Sequence, residues 1–164
     1  MEYDIAIIGG GPAGIMAAIA ASKTSNVILL EKNPSLGKKL LLTGGGRCNI
    51  TNNKPPKKLL TFFDEKNFLK HSFFTFTNED LFSLFDFGFI EEDNNRIFPE
   101  SEKSIDVLKG LERHLKDVEI QCNYEVKKIT GNFIINDEIK ACGYFLCPIY
   151  LMYLNALSIA PFAI

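Results

Sequence analysis

The chain contains no tryptophan and only two histidines, His71 and His114, among its 164 residues. Neither histidine stands at ligand spacing from a second ligand type, so no metal site is assigned. Its four cysteines, Cys48, Cys122, Cys142 and Cys147, form no CxxC pair. That pattern excludes a zinc ribbon or a dithiol redox motif and leaves reduced thiols as the default. Positive charge is not in excess: 18 Lys and Arg face 20 Asp and Glu, for a net charge of −2 and a pI near 5.7. A basic face for nucleic acid or an anionic membrane is therefore not expected. The apolar pattern starts at Tyr3, which leaves no room for the charged and hydrophobic regions of a signal peptide, so a cytoplasmic location is expected. With 46% hydrophobic residues, 164 residues can bury one sizeable core, and a single domain is the expectation.

What is present begins at once. Residues 3 to 14 read YDIAIIGGGPAG, an apolar run that breaks into glycines and then into an alanine-rich helical stretch. This is the opening of a dinucleotide-binding βαβ unit. Gly9 permits the tight strand-to-helix turn, Gly11 lets the backbone approach a pyrophosphate, and Gly14 lets the helix pack closely on the strand. The unpaired N–H groups and the positive end of the helix dipole then converge on phosphate. A second strand, Val27 to Leu30, ends at Glu31, seventeen residues after Gly14. A carboxylate there accepts hydrogen bonds from ribose hydroxyls and repels a ribose 2′-phosphate.

Residues 31 to 52 read EKNPSLGKKLLLTGGGRCNITN. After Lys38 and Lys39 and a short apolar run come three glycines, Gly44, Gly45 and Gly46, ahead of Arg47, Cys48 and Asn49. Consecutive glycines cost backbone entropy on ordering, and their use here is to let main chain press against a flat or phosphorylated ligand. Arg47 and Asn49 then face polar edges of that ligand. Eleven of the 14 phenylalanines fall between Phe62 and Phe98, following a turn or linker at Lys54 to Lys58. Such density reads as core packing, with an aromatic substrate box as the alternative. Thr77 to Phe85 carries a capping-box start, Thr77 with Asp80, and a second helix is expected over Ser104 to Lys116. From Val118 the runs VEIQCN, YEVKKIT, NFIIN and EIKACGYFLC read as short strands of an antiparallel or mixed set.

The strings GGGPAG, LLEKN, LGKKLLLTGGGRCNITN and NRIFPES together resemble the BaiN-like family of bacterial NAD(P)/FAD-dependent oxidoreductases, the aminoacetone oxidase-like flavoproteins. The resemblance covers about residues 1 to 145. It implies an α/β, Rossmann-like FAD-binding fold with a parallel sheet and additional short strands. It implies FAD on the Gly9 to Gly14 turn, with Pro12 and Ala13 in the cradle, and Glu31 with neighbouring Lys32 at the adenosine ribose. Lys38, Lys39, Gly45, Gly46, Arg47 and Asn49 would run along the pyrophosphate, ribityl chain and flavin. Val126 matches the position whose backbone meets the adenine, and Arg96 lies in the loop near the active site. The implied reaction is hydride transfer from NAD(P)H to the flavin and on to a small organic acceptor or O₂. No catalytic acid or base is assigned.

Where such flavoproteins continue to an ATGG-like turn, this chain reads YFLCPIYLMYLNALSIAPFAI. From Ala141 to Ile164 there is no charged residue. That length suffices to cross a bilayer, but Pro148, Pro161 and the lack of basic flanks beyond Lys140 argue against a membrane helix. The expectation is an incomplete FAD-binding domain over 1 to 145 and an aberrant apolar tail over 146 to 164. A non-catalytic truncated dinucleotide-binding fragment is the competing reading.

Overall fold

Strand β1 (Glu2–Ile8) opens the chain and leads through the glycine turn into helix α1 (Pro12–Ala21). Pro12 occupies the first helical turn, where its missing N–H costs nothing and its fixed φ suits the helix. The chain returns in β2 (Val27–Leu30), whose four residues are all buried, as a strand covered on both faces requires. The structure is a computed structural model that describes residues 1–146; the expected apolar tail lies, after Leu146, outside the described residues.

A kinked 3₁₀ segment, Leu40–Gly46, precedes β3 (Thr51–Asn52), and then come helices α2 (Pro56–Leu59), α3 (Lys66–Thr75) and α4 (Asn78–Phe82). The proline-lysine stretch read as a linker is thus partly helical. Helix α3, with no cap and few apolar residues at helical spacing, was not expected from the sequence. It is held by tertiary packing: Leu69 and Phe73 form a small separate core with Leu59 and Leu60. Strands β4 (Phe89–Glu92) and β5 (Arg96–Pro99) form a hairpin that pairs with β3 in an antiparallel three-stranded sheet.

Helix α5 (Ser104–Glu112) follows, somewhat shorter than expected, and feeds β6 (Val118–Gln121). The last strands are β7 (Ile129–Thr130), β8 (Ile134–Ile135) and β9 (Ile139–Leu146). The main sheet has the order β6-β2-β1-β9-β8-β7, parallel across its first four strands and antiparallel at β8 and β7. Two of the expected strands are corrected. Of YEVKKIT only Ile129–Thr130 pairs, so Val126 lies in irregular chain, and of NFIIN only Ile134–Ile135 pairs, after a 3₁₀ turn at Gly131–Phe133. Side-chain hydrogen bonds from Asn136 occupy the backbone that a ladder would have used.

The core has two parts, one on each face of the sheet. On one, Ile15, Ala18 and Ile19 of α1 and Val107, Leu108 and Leu111 of α5 pack with Ile7, Val27 and Leu29. On the other, Tyr3, Ala6, Ile28 and Leu30 pack with Ile135, Ile139 and Ala141. The run that begins the charge-free end of the chain therefore starts as an interior strand. Phe85, Phe87 and Phe89 stack on one another with centroids 4.9 to 5.9 Å apart and join the first core, so ordinary packing accounts for these three rings. No helix among the described residues is long and apolar enough to cross a membrane.

The capping box at α4 forms as the sequence indicates: the Thr77 hydroxyl accepts from the Asp80 N–H, and the Thr77 N–H donates to Asp80 Oδ2 at 2.8 Å. Thr77→Ala is expected to lower stability by about 0.5–2 kcal/mol. Backbone and then hydroxyl hydrogen bonds from Thr77 hold the Asp80 carboxyl below its ordinary range. The stabilisation is thus present above the unfolded carboxyl's pKa and is lost as pH falls through the lowered one. Thermal melts by circular dichroism at neutral and acidic pH check this: the penalty of Thr77→Ala should be largest at neutral pH and shrink in acid.

Candidate functional site

The three glycines of the first turn do different work. Gly9 sits at φ +107, a conformation that side chains rarely adopt, and its N–H donates to Leu30 O at 2.8 Å, closing the turn on β2. A Cβ on Gly14 would stand 1.9 Å from Gly9 O, so α1 lies on the strand with no room for a methyl group. Gly11 is the opposite case. It has φ −78 and ψ 176, open to any residue, and a Cβ there would meet nothing within 4 Å. Nothing among the described residues requires glycine at 11.

The N-terminus of α1 has neither a side-chain cap nor an acidic residue in its first turn. The N–H groups of Gly11, Ala13 and Gly14 have no hydrogen-bond partner among the described residues. A ten-residue helix thus presents free donors and the positive end of its dipole over a space that a side chain on Gly11 would fill. That arrangement suits a phosphorylated ligand.

Glu31 stands at the carboxyl end of β2 and is buried, 8% exposed. Its Oε2 accepts from Gly10 N–H at 2.7 Å, and its Oε1 accepts from Asn33 N–H at 2.8 Å and Asn33 Nδ2 at 2.6 Å. A carboxylate has about four acceptor sites, so a further one remains for a ligand hydroxyl. Burial of the charge is sustained by these three donors.

Gly10 and Asn33, which the sequence does not single out, are the residues that hold Glu31 in place. A Cβ on Gly10 would lie 2.4 Å from Leu36 Cδ2 and 3.1 Å from Glu31 Oε2, and Gly10 O accepts from Gly37 N–H at 2.8 Å. The signal available for Gly10 was the unbroken GGG string, longer than the GxGxxG spacing needs.

Segment 121 to 126 runs along the same end of the sheet. Glu31 N–H donates to Gln121 O at 3.0 Å, Tyr124 N–H to Glu31 O at 2.9 Å, and Asn123 N–H to Asn33 O at 3.0 Å. Val126, half-buried, follows two residues after Tyr124 and packs against the core cluster that contains Tyr3, Ala6, Ile28 and Leu30. The glycine turn, Pro12, Ala13, Glu31 and residues 121 to 124 therefore lie at the carboxyl ends of β1, β2 and β6, where ligands of open α/β sheets bind.

The TGGG segment is ordered and tied to this end through the Gly37–Gly10 bond. Gly44, Gly45 and Gly46 have φ of +56, +68 and +90, which explains three glycines by backbone conformation. Thr43 Oγ1 donates to Leu40 O at 2.7 Å, and Cys48 N–H to Thr43 O at 3.0 Å. A Cβ on Gly45 would meet nothing within 4 Å, so that backbone is open to a ligand.

Arg47 and Asn49 both have partners within the protein. The Arg47 guanidinium pairs with Glu92 and, at 2.6 Å, with Glu102, and lies 4.3 Å above the Phe98 ring centre. The hydrogen bond to Glu92 above all holds its pKa above the ordinary arginine value. With its amide assigned in the orientation that satisfies its neighbours, Asn49 Nδ2 donates to the carbonyls of Thr51 and Ile97 at 3.0 and 3.2 Å. Both side chains thus fasten the loop to the β4–β5 hairpin. Lys32, Lys38 and Lys39 are exposed, with Lys38 Nζ 3.5 Å from Asn33 Oδ1. Arg96 is exposed and donates from Nε to Asp93 O at 3.1 Å. Burial pushes the Cys48 thiol up, and burial followed by the Glu31 charge does the same at Cys122, so neither is poised as a thiolate.

A parallel βαβ unit with a three-glycine turn, a free helix N-terminus and a buried acid after the second strand defines a Rossmann-type dinucleotide-binding domain, in the form carried by FAD-dependent oxidoreductases. More particularly, the chain belongs to the HI0933-like protein family, whose Rossmann-domain model matches residues 3–141. It is 37% identical over 149 residues to a 3-dehydro-bile acid delta(4,6)-reductase of Clostridium scindens, covering 87% of this chain and 34% of that protein. It is 42% identical over 52 residues to the ribosomal RNA dihydrouridine synthase of Escherichia coli, covering 31% of this chain and 13% of that one. The chain thus spans about a third or less of these relatives' length. Among solved structures, the fold matches a Rhodococcus jostii 3-ketosteroid-delta4-(5alpha)-dehydrogenase, with TM-score 0.63, 17% identity and coverage of 88% of this chain and 45% of that one. It also matches a flavocytochrome c3 fumarate reductase, with TM-score 0.64, 17% identity and coverage of 88% and 33%.

Proposed function

We propose that the chain binds FAD at the carboxyl ends of β1 and β2 and is the dinucleotide-binding part of a cytoplasmic NAD(P)H-dependent oxidoreductase that reduces a small organic acceptor or O₂. The observation that carries this reading is Gly11, a glycine for which the protein has no conformational or packing need, set before a helix N-terminus with unpaired donors. The flavin, when bound, supplies the hydride chemistry. The chain's own residues bind and orient it. Gly11, Ala13 and Gly14 N–H groups take the pyrophosphate, Glu31 takes the ribose, and the Val126 main chain takes the adenine. The Gly45 and Gly46 backbone approaches the isoalloxazine end. A small acceptor is favoured over RNA because the bile acid reductase match runs over 87% of this chain and the RNA synthase match over 31%. Free thiols at Cys48, Cys122 and Cys142 suit a reducing compartment.

FAD should bind at least about tenfold more tightly than FMN, since FMN offers neither a ribose for Glu31 nor a pyrophosphate for the turn. Flavin fluorescence titration of the purified chain measures this, and equal affinities would overturn the assignment.

A further inference from the structure

The segment beside Glu31 contains a second unexplained pair of groups. Neither the N–H nor the C=O of Val126 has a hydrogen-bond partner among the described residues, although Val126 is half-buried. Its neighbours are held. Asn136 Oδ1 accepts from Lys127 N–H at 2.9 Å and Lys128 N–H at 3.2 Å, and Asn136 Nδ2 donates to Glu125 O at 2.8 Å. Asn136 N–H donates to Lys128 O at 3.1 Å as well. One carboxamide thus fastens the backbone on both sides of Val126 and leaves Val126 itself unpaired.

The turn between β8 and β9 requires a residue that tolerates positive φ at 136, where φ is +48, and asparagine, aspartate or glycine would each serve. Turn geometry therefore accounts for the residue class and not for the three side-chain bonds. Each backbone N–H and C=O is a strong donor or acceptor, so an adjacent pair left unbonded within the chain, with the groups on both sides fixed, is free to bond a ligand edge. Adenine has the complementary edge, a ring nitrogen that accepts and an exocyclic amine that donates.

We infer that Asn136 is a positioning residue for the nucleotide base: it fixes residues 125 to 128 so that the Val126 main chain presents its N–H and C=O to the adenine edge. This rests on the FAD reading above. Asn136 touches no ligand itself and acts through the backbone it holds.

The test is titration of the full chain with FAD and with 1,N⁶-etheno-FAD, whose added ring blocks both groups on the adenine edge, beside a thermal melt of each protein. Asn136→Gly keeps the positive φ and removes all three side-chain bonds; Asn136→Asp keeps both acceptor bonds and loses the donor. The wild-type chain should prefer FAD over the etheno analogue by about tenfold. Asn136→Gly should bring that ratio close to one, and Asn136→Asp should fall between. A purely structural role would lower the melting temperature and both affinities in parallel with the ratio unchanged, and that result overturns the inference. So does a wild-type chain that binds FAD but does not discriminate. A wild-type chain that binds neither dinucleotide overturns the FAD reading itself, and this inference with it. Should Asn136→Gly fail to fold, the ratio for Asn136→Asp decides, and a wild-type value there counts against the clamp.

Discussion

Gly11→Val is expected to abolish FAD retention while leaving the melting temperature of the unliganded chain nearly unchanged. The backbone at 11 is extended, and the added side chain enters open space, so the fold has no reason to resist it. The same branched side chain occupies the place where phosphate oxygens would reach the N–H groups of Ala13 and Gly14. Gly14→Ala supplies the contrast. Its methyl group would lie 1.9 Å from Gly9 O and 3.1 Å from Gly9 C, backbone against backbone, so α1 must move off the strand. Overpacking of that kind costs about 1–3 kcal/mol or more, which in a chain of this size lowers the melting temperature by about 2–4 °C for each kcal/mol. Scanning fluorimetry of the apo proteins, with FAD titration, separates the two variants. A Gly11→Val chain that still holds FAD removes the central assignment.

Glu31→Ala should fail on both counts. Removing the carboxylate leaves the buried Gly10 N–H without a partner, a penalty of about 1–3 kcal/mol, and it also releases Asn33. FAD affinity should fall by a further one to two decades or so for each charge-assisted ribose bond lost. Glu31→Gln retains an acceptor but turns an NH₂ group toward N–H donors, so it should recover only part of the stability. An apo melting temperature that is unaffected in Glu31→Ala would contradict the placement of the carboxylate. A normal melting loss with wild-type FAD affinity would keep the architecture and remove the ribose role.

The unequal legibility of this chain has a physical basis. β1, α1 and β2 announce themselves because each signal is local: an apolar strand, a glycine that must take positive φ, an alanine-rich helix and an acid at the next strand's end. Thr77 and Asp80 are readable for the same reason, three residues apart and complementary. Helix α3 is not, since its Leu69 and Phe73 are stabilised by Leu59 and Leu60 across a turn and not by its own propensity. The alternation around Val126 predicts a strand, but Asn136, ten residues on, competes for the neighbouring backbone. Arg47 illustrates a different limit. An arginine after three glycines suggests a ligand, and nothing local announces its carboxylate partners, Glu92 at the end of β4 and Glu102 just beyond β5, which no spacing rule links to it.

The position of β9 also bears on how the chain is made. Of the described strands β1 is made first, but its register partners on one side, Lys140 for Glu2 through Leu146 for Ile8, come from the far end of the described chain. The Glu2–Lys140 ion pair spans a separation of 138 residues. At about 5–20 residues per second, that edge of β1 waits on the order of ten seconds for its neighbour. During that interval the strand is an apolar edge with unpaired backbone, the kind of surface that recruits other nascent chains or a chaperone. The nucleotide-binding turn is thus followed by a long wait before the strand that covers β1 on its other side is made, so the turn's own sheet is completed by residues distant in sequence.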